Sequence, residues 1–155
     1  MVPAMKKDIF LANKSNKHRF IQMLSECLEQ AGCQCIHASG DADCIIVETA
    51  VNAANHKEII VVADDTDILV LLCYHVDSST KTVLMLHEPK KGTSQKIWNI
   101  HCLKSALGPC MCLHLPFLHA LLGCDTTSRL FNVGKAVAIK KIQRLTALCR
   151  GILSD

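Results

Sequence analysis

The stretch Ile59-Ile-Val-Val-Ala-Asp-Asp-Thr-Asp-Ile-Leu-Val-Leu-Leu72 constrains the fold of this chain more than any other. Its first five apolar residues read as a buried strand, and Asp64, Asp65 and Asp67 follow directly. A second apolar run, Ile68 to Leu72, begins at once. Carboxylates held between two buried segments belong where a strand ends, and three together repel one another unless a cation neutralises them.

The rest of the chain is read as partners for that cluster. With 155 residues, half apolar and a fifth charged, it has the length and composition of one globular domain with a real core. No apolar run reaches the length of a membrane span, and Met1-Val-Pro-Ala-Met-Lys-Lys7 is no secretory leader. The ten cysteines, among them Cys27, Cys44, Cys73 and Cys149 in apolar surroundings, are expected to be reduced and buried, as in a nuclear or cytoplasmic protein. Cys33-Gln-Cys35 and Cys110-Met-Cys112 lack a matching His/Cys set at zinc-finger spacing.

The net charge of +3 hides a segregation. Residues 37–72 hold Asp41, Asp43, Glu48, Glu58, Asp64, Asp65 and Asp67 against Lys57 alone, whereas residues 129–150 carry Arg129, Lys135, Lys140, Lys141, Arg144 and Arg150 and no acid. The first twenty residues are basic too, with Lys6, Lys7, Lys14, Lys17 and Arg19 against Asp8. An acidic centre with basic ends suits a metal site beside a phosphate-binding surface; ordinary solvated helix faces would give the same pattern.

Along the chain, residues 1–14 have no clear periodicity. From Ser15, the residues Phe20, Met23, Leu24, Cys27 and Leu28 recur at helical spacing until Gly32 closes the run. Cys33 to Ala38 predicts a short strand, and Asp41 opens a helix through about Ala54. Ile68 to Cys73 fits a helix or a strand equally. Thr82 to His87 and Gln95 to Ile100 predict two strands joined through Pro89-Lys-Lys-Gly92 as a hairpin. His101 to Leu107 predicts a helix ended by Gly108, and Cys110 to Leu122 another, with Pro116 starting a new turn rather than sitting mid-helix. A last basic helix is expected from Gly134. The economical architecture is a single α/β domain over residues 1–155, three-layered α/β/α around a mainly parallel sheet.

If strands 33–38 and 59–63 are parallel neighbours, Asp41 and Asp43 join Asp64, Asp65 and Asp67 at the carboxyl edge, where open sheets bind ligands. Asp125, after Gly123, supplies a further carboxylate. Oxygen ligands of this kind suit one or two Mg²⁺ or Mn²⁺ ions, which can clamp a phosphodiester. Competing roles are a helix-start acid for Asp41, a solvated strand end for Asp64 and a turn cap for Asp125. Asp65 and Asp67 are the hardest to explain structurally. Gly134 and the helix start after it offer backbone N–H groups to phosphate, and Lys135, Lys140 and Lys141 add sequence-independent attraction to DNA. None of the eight histidines shows ligand spacing, and His119, in an apolar helix, reads as a satisfied core residue.

In order, Gly40-Asp-Ala-Asp43, Ala63-Asp-Asp-Thr-Asp-Ile-Leu69, Leu122-Gly-Cys-Asp125 and Asn132-Val-Gly-Lys-Ala136 resemble the motifs of the flap-endonuclease-like branch of the PIN nuclease superfamily. Their wording is also similar to that of related animal proteins, some transposon-associated. The resemblance spans about residues 33–145. It implies a metal-dependent structure-specific nuclease acting on branched or single-stranded DNA. Asp43, Asp65, Asp67 and Asp125 would be catalytic, and Asp41 would join them as metal ligands. Asn132, Gly134, Lys135, Lys140 and Lys141 would hold the DNA backbone. Two departures bear on activity: nothing before residue 33 matches the family's first strand and its aspartate, and the first acidic pair is Asp-Ala-Asp instead of glutamates. The chain therefore reads as truncated at its N-terminus. The rival expectation is a catalytically inactive nucleic-acid-binding or interaction module on the same scaffold. A phosphatase-like use of Asp65 and Asp67 is a third reading, without an identifiable phosphate-holding Ser/Thr and Lys.

Overall fold

Residues 6–87 and 94–122 are described by the computed structural model. The predicted turn at Pro89–Gly92, Asp125, the turn Asn132–Lys135 and the basic segment with Lys140 and Lys141 lie outside them. The chain divides into two compact units, Met1–Gly40 and Asp41–Asp155.

In the first unit, helices α1 (Lys7–Ala12) and α2 (Lys14–Gln30) meet at Asn13. The Asn13 side chain accepts hydrogen bonds from the Ser15 and Asn16 backbone N–H groups, at 3.0 and 3.3 Å, and so caps α2. Gly32, at φ 84°, ends it: the Gly32 N–H reaches Glu29 O and the Cys33 N–H reaches Leu28 O, both at 2.9 Å. This double return is the Schellman pattern, for which glycine has no steric penalty. The predicted apolar stripe is present, but Phe20, Met23, Leu24 and Leu28 are all exposed, and α2 buries none of its residues. Helix α1 had no signal in the sequence. The strand expected over 33–38 does not form. That backbone joins no ladder, and Ile36 is 53% exposed. A short apolar run without a partner strand has nowhere to place its amide groups.

The second unit runs α3 (Asp43–Ala54), β1 (Ile59–Val62), α4 (Thr66–His75), β2 (Val83–His87), β3 (Lys96–Asn99), α5 (Ile100–Leu107) and α6 (Pro109–Leu121). The sheet order is β1-β2-β3, with β1 parallel and β3 antiparallel to β2. The ambiguous run from Ile68 is helical: the Asp65 carboxylate caps its start, and Ile68, Val70, Leu72 and Cys73 turn inward. Val47, Ala50 and Ala54 of α3, Ile68 and Leu72 of α4, Val61, Val83 and Met85 of the sheet, and Ile100 of α5 share one core. Asn99 caps α5 through the Cys102 N–H at 3.0 Å, and Gly108, at φ 81°, ends it as expected.

Pro116 lies inside α6 rather than starting a new turn. It leaves the Cys112 carbonyl without its i+4 donor. The helix continues because Met111, Cys112 and Leu118, on both sides of the break, are buried.

The strand over 59–62 is not buried on both sides. Val61 is 7% exposed, but Ile60 and Val62 are 63% and 57% exposed. The register aligns Ile60 with Leu84, and Val62 with Leu86 and then Ile97. These residues form a second apolar face, opposite the core and only partly buried at Leu84 and Leu86. What the described residues establish is a mixed α/β unit with a small three-stranded sheet. No described helix is long and apolar enough to cross a membrane.

Candidate functional site at the carboxyl end of the parallel strands

Strand β1 delivers its acids where the sheet stops. The Ala63 N–H still bonds to Leu86 O at 3.0 Å, and the chain then leaves the ladder with Asp64 and Asp65. Because β2 runs parallel to β1, it ends at the same edge with His87. Its antiparallel neighbour β3 begins there with Lys96, paired with His87. Asp64 Oδ1 accepts from His87 Nδ1 at 2.9 Å. Between these groups lies a crevice of about 180 Å³, floored by Leu69 and Met85 and walled by Asp64, Asp65, Thr66, His87, Lys96 and Trp98.

Asp65 and Asp67 have structural work at the start of α4. Asp65 Oδ1 accepts from the Asp67 N–H at 2.9 Å, the bond that caps the helix. Asp67, in the first turn, favourably meets the positive end of the helix dipole. Its Oδ1 also lies 2.7 Å from His119 Nε2 of α6. The His119 side chain is 13% exposed and that of Asp67 30%, so the pair is partly shielded from water and ties α6 to α4. His119 is therefore satisfied within the packing, as the sequence suggested, but by a charged partner.

Asp41 and Asp43 stand apart from that crevice. Asp41 Oδ1 accepts from the Asp43 N–H at 3.3 Å as α3 begins, two residues later than expected. With no strand over 33–38, neither acid follows a strand end, and neither lines the crevice. Among the described residues, no group of three His, Cys, Asp or Glu side chains is placed to hold one metal ion. Asp125, the remaining expected ligand, and Asn132, Gly134, Lys135, Lys140 and Lys141 lie outside the described residues.

Sequence reasoning passed over Lys96 and Trp98, gave His87 no ligand role, and read His119 as a satisfied core residue without naming its partner. A strand ending in histidine two residues after a buried Met85 was the available signal for His87. For His119 it was a lone ionisable side chain in an apolar helix. A second cavity, about 380 Å³, opens between α3 and α4 beside Val47, Glu48, Val51, Leu71 and His75 and includes none of the predicted site residues.

The cysteines divide by burial. Cys27, Cys33, Cys44 and Cys102 are exposed, contrary to the expectation of buried thiols for Cys27 and Cys44, whereas Cys73 and Cys112 are buried. Exposure follows position: Cys27 lies on α2, which has no buried face, and Cys44 on the first turn of α3. Burial pushes the Cys73 thiol from 9.0 up to about 11, with Cys112 adding to the rise and Lys104 opposing it. Burial also raises Cys112. The ammonium of Lys104 bonds to the Val76 carbonyl at the end of α4. In the turn after α4, the Ser79 backbone N–H donates to Asp77 at 2.9 Å and holds that carboxyl below its usual range.

Compared with protein-family models, with curated proteins and with solved structures, the chain matches none.

Proposed function

We propose that the unit Asp41–Asp155 is a divalent-metal-dependent nuclease that hydrolyses DNA phosphodiester bonds. The observation that carries this reading is the crevice at the carboxyl end of β1 and β2, where Asp64 and Asp65 face Lys96 across an open volume. Carboxylates there can recruit Mg²⁺ or Mn²⁺, and the metal supplies the activated water and neutralises charge on the phosphate. Asp64 and Asp65 are the acids at that crevice; the motif resemblance to flap-endonuclease-like PIN nucleases would add Asp67 and Asp125 as catalytic acids, whereas Asp41 and Asp43, which it also names, do not line the crevice. Asn132, Gly134, Lys135, Lys140 and Lys141 would grip the backbone of branched or single-stranded DNA. The finer architecture, a three-layer sandwich, is part of the same proposal. Its support is the apolar face of Ile60, Val62 and Ile97, which a further layer would cover. A nuclear or cytoplasmic setting fits the exposed free thiols.

The test is cleavage of flap, hairpin and single-stranded substrates with Mg²⁺ or Mn²⁺, by the parent chain and by the double variant Asp65→Asn, Asp67→Asn. Asparagine still caps a helix, so Asp65→Asn keeps α4 while removing the metal-binding charge. Asp65→Ala, by contrast, costs about 1 kcal/mol in stability. Loss of cleavage in a double variant that still unfolds cooperatively is the expected result, with the urea midpoint lowered only by the lost charge of the Asp67–His119 pair; cleavage that persists refutes the assignment.

A second reading is a non-catalytic nucleic-acid-binding module. The engagement of Asp65 by a backbone N–H and of Asp67 by His119 favours it. It predicts DNA binding that weakens with salt, with no turnover under any divalent ion.

A further inference from the structure

The first wall of the crevice is acidic; the opposite wall is built quite differently. Strand β3 contributes Lys96 and Trp98 to it. Side chains two apart on a strand share a face, and about 7 Å separates their backbone positions. Lys96 is exposed, and among the described residues it makes no ion pair, although Asp64 and Asp65 line the same crevice. Trp98, the chain's only tryptophan, pairs in register with the buried Met85 yet remains 40% exposed. An indole on the core side of a strand is ordinarily covered; this one borders open volume. A flat apolar ring, a cation one step along the strand and the exposed Thr66 hydroxyl opposite form a recognition surface for a planar group attached to an anion.

We infer that Trp98 and Lys96 are the nucleotide-positioning wall of this site: one unpaired base of a single-stranded nucleic acid stacks on the Trp98 indole while Lys96 holds the adjoining phosphate. The inference rests on the nuclease reading for the chemistry at the acidic wall, but not for binding itself. A single strand is specified because duplex bases already stack on their neighbours and offer no free face, and because a crevice of about 180 Å³ has no room for a base pair with its backbones. The carboxylates opposite repel phosphate, so binding gains from a divalent cation that does not support cleavage.

The experiment titrates the full chain with oligodeoxythymidylate in Ca²⁺ and follows tryptophan emission, which reports Trp98 alone. Anisotropy of a labelled oligonucleotide covers the variants that lack the signal. Expected results are quenching by single strands and not by blunt duplex, and affinity about 5- to 150-fold weaker in Trp98→Leu but largely kept in Trp98→Phe. Lys96→Met should lower the slope of log affinity on log salt by about 0.7, the loss of one phosphate contact. Quenching with these variant effects but no cleavage in Mg²⁺ or Mn²⁺ sustains the inference and removes the nuclease reading. Cleavage by a chain whose emission does not respond, or whose Trp98→Leu variant binds unchanged, overturns the inference and leaves the nuclease reading standing. Equal quenching by duplex or by polyaspartate also overturns it.

Discussion

His119 and Asp67 show how one side-chain pair can tie together two helices far apart in the chain. They are 52 positions apart in the chain and 2.7 Å apart in space. A hydrogen bond to a charged partner contributes about 1.5–3 kcal/mol when shielded, and less where water reaches it. We expect His119→Ala to lower stability by about 1–2 kcal/mol in urea unfolding, and His119→Gln, which retains a donor, to recover part of that. An effect below 0.5 kcal/mol would mean that the pair does not hold α6 to α4. The sequence marks His119 as a side chain that needs a partner but does not name Asp67, because periodicity reports only which face of a helix is apolar. The thiols are a second case. With its pKa at about 11 rather than 9.0, Cys73 carries roughly a hundredfold less thiolate at pH 8 than an ordinary cysteine. Mass-resolved alkylation of the native chain at that pH should label Cys27, Cys33, Cys44 and Cys102 well before Cys73 and Cys112. Because the folded pKa is raised, the Cys73 contribution to stability is complete below pH 9 and is lost as pH climbs toward 11.

Elements were legible wherever a local device marked them. Gly32 and Gly108 ended their helices as glycine does, the paired strands β2 and β3 lay in the two runs predicted as strands, and α3 followed its acids. What escaped were choices decided by distant partners. The run from Cys33 stayed irregular because no strand lay beside it, whereas the run from Ile68, open to helix or strand in the sequence, was settled close by at the Asp65 cap. Pro116 shows packing overriding a local rule, since Met111, Cys112 and Leu118 hold α6 straight through the break. Pro116→Ala should therefore restore the bond to Cys112 O and raise the unfolding midpoint, a gain of about 1–3 kcal/mol by chemical denaturation. A loss of stability would show instead that the Pro116 ring itself is needed in the packing.

For the molecule as a whole, the separation into Met1–Gly40 and Asp41–Asp155 predicts where it can be cut. Residues 33–42 carry no helix or strand and few buried groups. Limited proteolysis should open the chain there first, before any site in α3 or α4, as N-terminal sequencing of the large fragment would show. The acidic edge was visible in the sequence because Asp64 and Asp65 interrupt an apolar run. Its basic and aromatic wall was not, since Lys96 and Trp98 reach it only through strand pairing. The same pairing has a consequence for how the molecule is made. In β1 and β2 the residues turned inward (Ile59, Val61, Val83, Met85) are scarcely more apolar than those turned outward (Ile60, Val62, Leu84, Leu86). A one-residue slip would exchange the two sets with little change in hydrophobic burial. Register must then be selected by shape and by the α4 crossover that spans the two strands. Refolding should include a slow population of misaligned sheets that have collapsed correctly and must let go before they can finish.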